Sequence, residues 1–401
     1  MLDTAQRLRS FERRDIALTN LVKDLALPIY RTGQTAYAAV EGRVYQIVQH
    51  DEHWHIFTGT GHPGPKIRLN TERHWVLDLP TGLYGGGIGS SKIDVLSSIS
   101  ADVDAQVRAT FTVKAKGIQQ IRAAYIIKAR QITAARTLAL HYLRTSLINL
   151  DRGTKTGSIP HTSEVIIQAA FDLPVAPSSL VRRLRNMIAD IYVDMLSTSM
   201  SPKTSQRYIV GSHKRSDNTA DAFVYRSDPQ RRVFLADSFF SHLPSAYPVA
   251  DERITGFYPR THFQATVLIH ELSHLNNATV DIAYLDAGAP YIDLISSPDP
   301  LVQAQAQSQL RAIQNRSFGP HTARDKLFKL NRNGVVSDLD NEAADALSTL
   351  LALTGTRTLD QARDVFYSDP IKRCDVMLAN ADTVALLVTK LGRVPFLSAV
   401  Q

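Results

Sequence analysis

Residues 265–285 read "ATVLIHELSHLNNATVDIAYL". Within them His270, Glu271 and His274 form an HExxH pattern. On an α-helix, positions i and i+4 share a face, so both imidazoles can reach one metal ion. Glu271 lies about 100° further round the helix. From there it can take a proton from a water beside the metal without being a ligand itself. This set of residues points to hydrolysis with a metal-activated water and a carboxylate as general base. Leu268, Leu272 and Leu275 fall at i, i+4 and i+7 and predict a buried face on the same helix. Asn276 and Asn277 predict its end, through a left-handed backbone at the stop.

A catalytic zinc ion usually has three protein ligands and a position left for water. The chain must turn before it can supply the third. Asp281 stands seven residues after His274, beyond the Asn pair. A second candidate lies far downstream in "DLDNEAAD", which holds Asn341, Glu342 and Asp345. That stretch resembles the NExxxD helix of thermolysin-like enzymes, in which the Glu is the third ligand. Here the Asp comes one residue early, a rotation of about 100° on a helix.

"HELSHLNNATVDIAYL" resembles the signature of the aspzincins, the deuterolysin and peptidyl-lysine metalloendopeptidase group, in which HExxH is followed by GTxDxxYG. Thr279, Asp281 and Tyr284 match, while Ala278 and Leu285 replace the two glycines. "VFLADSFF" resembles the strand and Phe-Phe element before that group's active-site helix, and "NADTVALL" resembles its Asn-Ala-Asp helix. The likeness spans roughly residues 110–395, with a longer segment between Asp293 and Ala379. It implies a zinc endopeptidase acting on proteins or peptides. Asp281 would be the third zinc ligand and Tyr284 would stabilise the oxyanion. Asp382 matches a position that receives the substrate ammonium in lysine-specific members. The following "TVAL" supplies no second acid for that task.

The elements that must position these residues are an α+β set. Residues 1–34 predict a helical lead-in. Residues 35–80 contain alternating segments separated by turn residues, with both tryptophans, Trp54 and Trp75, and predict a small antiparallel β module. Residues 81–103, with "PTGLYGGGIGSSK", predict a linker; neither GxxxxGK[ST] nor GxGxxG is satisfied. Residues 104–401 predict a zincin-like domain: helices, three short strands ("RYIV", "AFVY", "RVFLADSFF"), the motif helix, then further helices.

Composition sets outer bounds. The 401 residues carry net charge +7 and 44% apolar residues, as expected of a globular chain. No apolar run is long enough to span a bilayer, and no secretory signal opens the chain. Cys374 is the only cysteine, which excludes an internal disulfide and a cysteine zinc knuckle. The basic excess is spread along the chain without interleaved aromatics, so specific nucleic-acid binding is not expected.

Residues 35–80 also resemble, loosely, short β modules in very large bacterial dermonecrotic-type toxins, where such modules precede C-terminal effector domains. That likeness implies a secreted or translocated effector acting on a target-cell protein. Two other functions stay open on the sequence: a binding or targeting module with a structural or degenerate zinc site, and a thermolysin-like protease using Glu342. Oligomeric state is not readable.

Overall fold

A computed structural model describes residues 11–23, 28–40, 42–50, 53–59, 63–69, 74–77, 92–156, 161–215, 219–241, 247–250, 255–332, 335–340 and 343–393. The chain divides into two units. The first holds residues 1–109 and 225–230, and the second 110–224 and 231–401.

In the first unit, apolar side chains alternate along successive strands, the period of a sheet with one buried face. Tyr45 and Ile47, then Ile56, then Ile67 point inward, with more exposed neighbours between them. The strands are β1 (Val22–Lys23), β2 (Tyr30–Thr32), β3 (Thr35–Val40), β4 (Arg43–His50), β5 (His53–Phe57), β6 (Pro63–Leu69) and β7 (Trp75–Leu77). Each pairs antiparallel with the next. A parallel bridge from Val40 to Trp75 joins β7 back to β3, so β3 to β7 form a closed ring. Gly42 makes the β3–β4 turn at φ +79°, which glycine adopts without steric penalty. Trp75 is a core residue. It is buried beside Ile29, Val40 and Ile67, meets Trp54 edge-on at 6.4 Å, and donates its indole N–H to the Pro28 carbonyl at 3.0 Å.

Two sequence expectations need correction here. Residues 11–23 and 28–34 are not a helical lead-in; 1–10 and 24–27, the rest of that expected segment, lie outside the described residues. The described ones make a 3-10 turn at Leu18–Asn20 and strands β1 and β2, and Glu12 bridges to Tyr45 of the sheet. Sheet pairing outweighs the weak helix preference of a short polar segment. Helix α1 (Lys92–Thr110) also runs through the second half of the expected linker, whose first part, 81–91, lies outside the described residues.

The second unit opens with β8 (Phe111–Lys116), α2 (Gly117–Ala124), α3 (Ile126–Thr156), α4 (His161–Phe171) and α5 (Ser178–Leu196). Next come β9 (Tyr208–His213), β10 (Ala222–Val224), β11 (Val233–Ala236) and α6 (Asp237–Ser241), then α7 (Pro259–Asn277), which carries HELSH. The rest is α8 (Pro300–Arg316), the hairpin β12 (Lys329–Arg332) with β13 (Val335–Asp338), and α9 (Ala344–Thr354), α10 (Leu359–Ser368), α11 (Pro370–Leu378) and α12 (Ala381–Leu391). The architecture is α+β: a mostly helical unit with a small sheet, in a chain that also holds a small antiparallel β module.

The sheet of this unit has the order β10-β11-β9-β8, with β9 and β11 parallel. Strand β8 is a fourth strand beyond the three that the sequence predicts. Its β-branched and aromatic residues, "FTV", pair it antiparallel to β9.

Helix α7 packs against α3, α5 and α12 and is enclosed on most sides. Ala265, Leu268, Ile269 and Leu272 are fully buried. Because it is enclosed, its polar residues need partners. Gln264 donates to the Phe239 carbonyl at 2.9 Å, and Thr266 to the His262 carbonyl at 2.9 Å.

Candidate metal centre

Helix α7 opens on Pro259, which stands in its first turn, where a missing N–H costs no hydrogen bond. At the other end Ala278, not an asparagine, takes the left-handed conformation, at φ +53° and ψ +32°. Asn276 and Asn277 stay helical because their side chains are engaged elsewhere. Asn276 donates to Asp194 at 3.0 Å and accepts from Arg231 at 2.7 Å. Asn277 donates to Asp190 at 3.5 Å.

Asp194, on α5, accepts a two-pronged bond from Arg207 at 2.6 and 3.0 Å, besides bonds from Arg231 and Asn276. Burial alone would raise its pKa, but these donors outweigh burial and bring it to about 2. Arg231, itself at φ +50°, also donates to the Leu275 carbonyl at 3.2 Å. The C-terminal end of the motif helix is thus fixed by a charged cluster.

The turn at Ala278 brings Asp281 back to the histidines. His270 Nε2 and His274 Nε2 are 3.1 Å apart, and Asp281 Oδ1 lies 3.1 Å from the first and 3.5 Å from the second. Four tetrahedral ligands at zinc bond lengths of about 2.0–2.1 Å stand about 3.3 Å from one another. These edges therefore fit three corners of such a site. Among the described residues, these three form the His, Cys, Asp or Glu grouping close enough to hold a metal ion.

The partners of the two Nδ1 atoms agree with that fit. His274 Nδ1 is 2.8 Å from the Thr279 carbonyl oxygen, which can only accept, so Nδ1 carries the hydrogen. His270 Nδ1 is 3.0 Å from Asp382 Oδ1, which places its hydrogen there too. With Nδ1 engaged on both rings, the two Nε2 atoms face the point they share with Asp281, where a cation would replace the Nε2 proton of His270. Among the described residues, the buried Asp281 Oδ1 has no hydrogen-bond donor of its own. A buried carboxylate oxygen left in this way, beside two imidazole Nε2 atoms, suits a cation.

Burial disfavours the charged form of His270. Asp281 and Asp382 outweigh burial and raise its pKa well above the usual value. Burial likewise acts against the Asp281 carboxylate, yet His274 and His270, with a hydrogen bond from Tyr284, hold its pKa below the usual range. Glu271 is buried, and burial is the main reason its pKa rises to about 8 in the metal-free protein. His270 opposes that rise, whereas Asp281 and Asp221 add to it. A bound divalent cation would draw it back down.

The second support comes from α12. Asn380, fully buried, accepts from the backbone N–H groups of Ile282 and Ala283 at 3.0 and 3.1 Å and donates to the Ala283 carbonyl at 2.9 Å. Val280 makes two backbone hydrogen bonds to the Ala379 and Ala381 segment. The Asp281 loop is therefore held as a short parallel bridge against the start of α12.

Asp382 requires a correction. It is 8% exposed, its Oδ1 meets His270, and its Oδ2 accepts from the Leu285 N–H at 2.6 Å. With both oxygens engaged behind a histidine, it does not face a substrate ammonium. Docking of α12 against α7 sets its direction, and that tertiary contact has no local trace in the sequence.

Tyr284 is exposed at the site and hydrogen-bonds the Asp281 carboxylate. Glu342 and Asn341 lie outside the described residues, and Asp345 sits in the first turn of α9. Sequence reasoning assigned no role to Thr279, Asn380 or Asp221. The first two stand in the stretches that resemble the aspzincin patterns, which was the signal available for them.

No family model, curated protein or solved structure matches this chain.

Proposed function

We propose that the chain is a zinc-dependent endopeptidase of aspzincin type, with His270, His274 and Asp281 as the zinc ligands. The observation that carries this reading is the triangle of His270 Nε2, His274 Nε2 and Asp281 Oδ1, with edges of 3.1, 3.1 and 3.5 Å, and with each Nδ1 held by an acceptor outside it. Zinc in such a set supplies Lewis acidity, which polarises a peptide carbonyl and makes water acidic near neutral pH.

The chain's own residues do the rest. Glu271, next to His270 and buried, takes the proton of the attacking water and passes it to the leaving amine. Tyr284, exposed at the rim, donates its hydroxyl to the carbonyl oxygen as that oxygen gains charge. Asp382 and the Thr279 carbonyl keep the two imidazoles in the tautomer a metal needs. The loose likeness of residues 35–80 to dermonecrotic-type toxin modules supports a delivered bacterial effector that cuts a target-cell protein.

The test is metal content by mass spectrometry for wild type, Asp281→Asn and Glu342→Gln, each with its fold checked by circular dichroism. Alongside it, cleavage of a denatured protein is assayed for wild type and Glu271→Gln. One zinc in wild type, lost only in Asp281→Asn, with cleavage abolished in Glu271→Gln, is the expected result. Zinc lost only in Glu342→Gln would transfer the chain to the thermolysin-like branch. Bound zinc with no cleavage of any denatured substrate would favour a binding module.

A further inference from the structure

From Ala105 to Leu150 the chain has 46 residues and no Asp or Glu, but eight Lys or Arg. A second stretch, 195–216, also lacks acids and carries Lys203, Arg207, Lys214 and Arg215. The fold brings the two together. Strand β8 from the first pairs with β9 from the second, and Arg122 of α2 donates to the Pro202 carbonyl at 2.7 Å, beside Lys203.

Part of this charge is neutralised. Lys114 and Lys128 both pair with Asp237, and Arg207 pairs with Asp194. Arg122, Arg130 and Lys203 are exposed, and no carboxylate among the described residues is paired with them. Between Arg122 and Arg130 along the chain stand two apolar residues that the fold leaves in water. Ile126 is 51% exposed and Ile127 68%. Arg130 lies four residues after the first and three after the second, hence adjacent on α3, and Arg122 precedes them on α2.

Two consecutive exposed branched aliphatics, flanked along the chain by Arg122 and Arg130, leave apolar surface in water beside positive charge. A nucleic acid would use the cations and leave the isoleucines idle. An anionic bilayer surface uses both: headgroup charge attracts the Lys and Arg side chains, and the acyl boundary takes the apolar pair. We propose that this face, Arg122, Ile126, Ile127, Arg130 and Lys203, is a peripheral docking site for an anionic phospholipid surface. It is independent of the metal centre, and a failure of either reading leaves the other intact.

The experiment is co-sedimentation of the full chain with vesicles of phosphatidylcholine alone, or with about 30% phosphatidylserine. Wild type is expected to bind only the phosphatidylserine vesicles, and more weakly as salt rises. Arg122→Gln and Arg130→Gln should each weaken binding about fivefold. Ile126→Ser/Ile127→Ser should weaken it about tenfold or more at low salt, with an unchanged melting temperature. Ile127→Ser alone serves as a milder variant should the double one misfold. No binding of wild type to the anionic vesicles would overturn the proposal. So would undiminished binding by the isoleucine variants, or displacement from vesicles by duplex DNA with the isoleucines without effect, which would reassign the patch to a polyanion.

Discussion

His274 Nδ1 faces the carbonyl oxygen of Thr279 at 2.8 Å, whereas His270 Nδ1 faces a carboxylate, that of Asp382, at 3.0 Å. The two histidines of one motif are therefore oriented by different means, one by backbone and one by a side chain. A side-chain substitution can remove only the second. Asp382→Ala is expected to weaken zinc binding about 10–100-fold. Thr279→Val keeps the carbonyl and should stay within a few-fold of wild type, while losing about 1 kcal/mol with its hydroxyl bond to Ser273. Competition against a chromogenic chelator measures both. Equal loss in the two variants would contradict this division of roles.

Glu271 makes a sharper separation between binding and chemistry. It is coupled in charge to His270 and Asp281 but is not part of the triangle. Glu271→Gln should keep one zinc per chain and lower kcat by about 10²–10⁴-fold. Activity near wild type in a zinc-loaded Gln variant would remove the residue from the general-base role.

The site was legible where it is local and illegible where it depends on docking. His270 and His274 are one helical turn apart, so the sequence places them on one face whatever surrounds the helix. Asp281 could be ranked only by resemblance, because its approach depends on the turn at Ala278 and on Asn380 gripping residues 282 and 283. Asp382 was misassigned since a carboxylate in a first helical turn can face either substrate or scaffold, and the packing of α12 on α7 decides between them. The helix stop was displaced by one residue for a related reason: Asn276 and Asn277 were engaged by Asp194, Arg231 and Asp190, distant in sequence. The β module was legible from its alternation, but β1 and β2 were not, being too short to show a period.

Ala278 gives a prediction about stability. An alanine at φ +53° bears a steric penalty of about 1 kcal/mol that glycine escapes. Glycine also loses more freedom on folding, which offsets part of the gain. Ala278→Gly should raise stability by up to about 1 kcal/mol in a denaturant titration, with zinc retained. A clear loss of stability would show that the alanine methyl makes a packing contact worth more than the strain.

Asp194 ties the C-terminal end of α7 to Arg207 and Arg231. Its folded pKa of about 2 lies below the ordinary 3.8, so the unfolded chain takes up its proton first. The stability it contributes is complete above pH 3.8 and is lost as pH falls through about 2. Asp194→Asn leaves two arginines without their partner and should cost about 3 kcal/mol at neutral pH. Urea titrations at pH 7 and pH 3 should show the gap between wild type and variant narrowing in acid. A constant gap would mean that packing, rather than charge, accounts for the loss.

His262 acts in a milder pH range. It lies on α7 two turns before His270 and is buried, with Nε2 donating to the Ala289 carbonyl at 3.0 Å and Nδ1 accepting from the Tyr142 hydroxyl at 2.9 Å. That pattern requires the neutral ring, and burial lowers its pKa from 6.5 to about 4. Between those values the unfolded chain binds a proton that the folded chain refuses. Stability from this residue is therefore complete above pH 6.5 and falls as pH drops toward 4, by roughly 3 kcal/mol in all. His262→Gln can keep both hydrogen bonds and has no proton to gain. Its melting temperature should be less sensitive than wild type between pH 7 and pH 4.5, whatever its value at neutral pH. Parallel melting curves for the two proteins across that range would show that His262 titrates normally or stays exposed to water in solution.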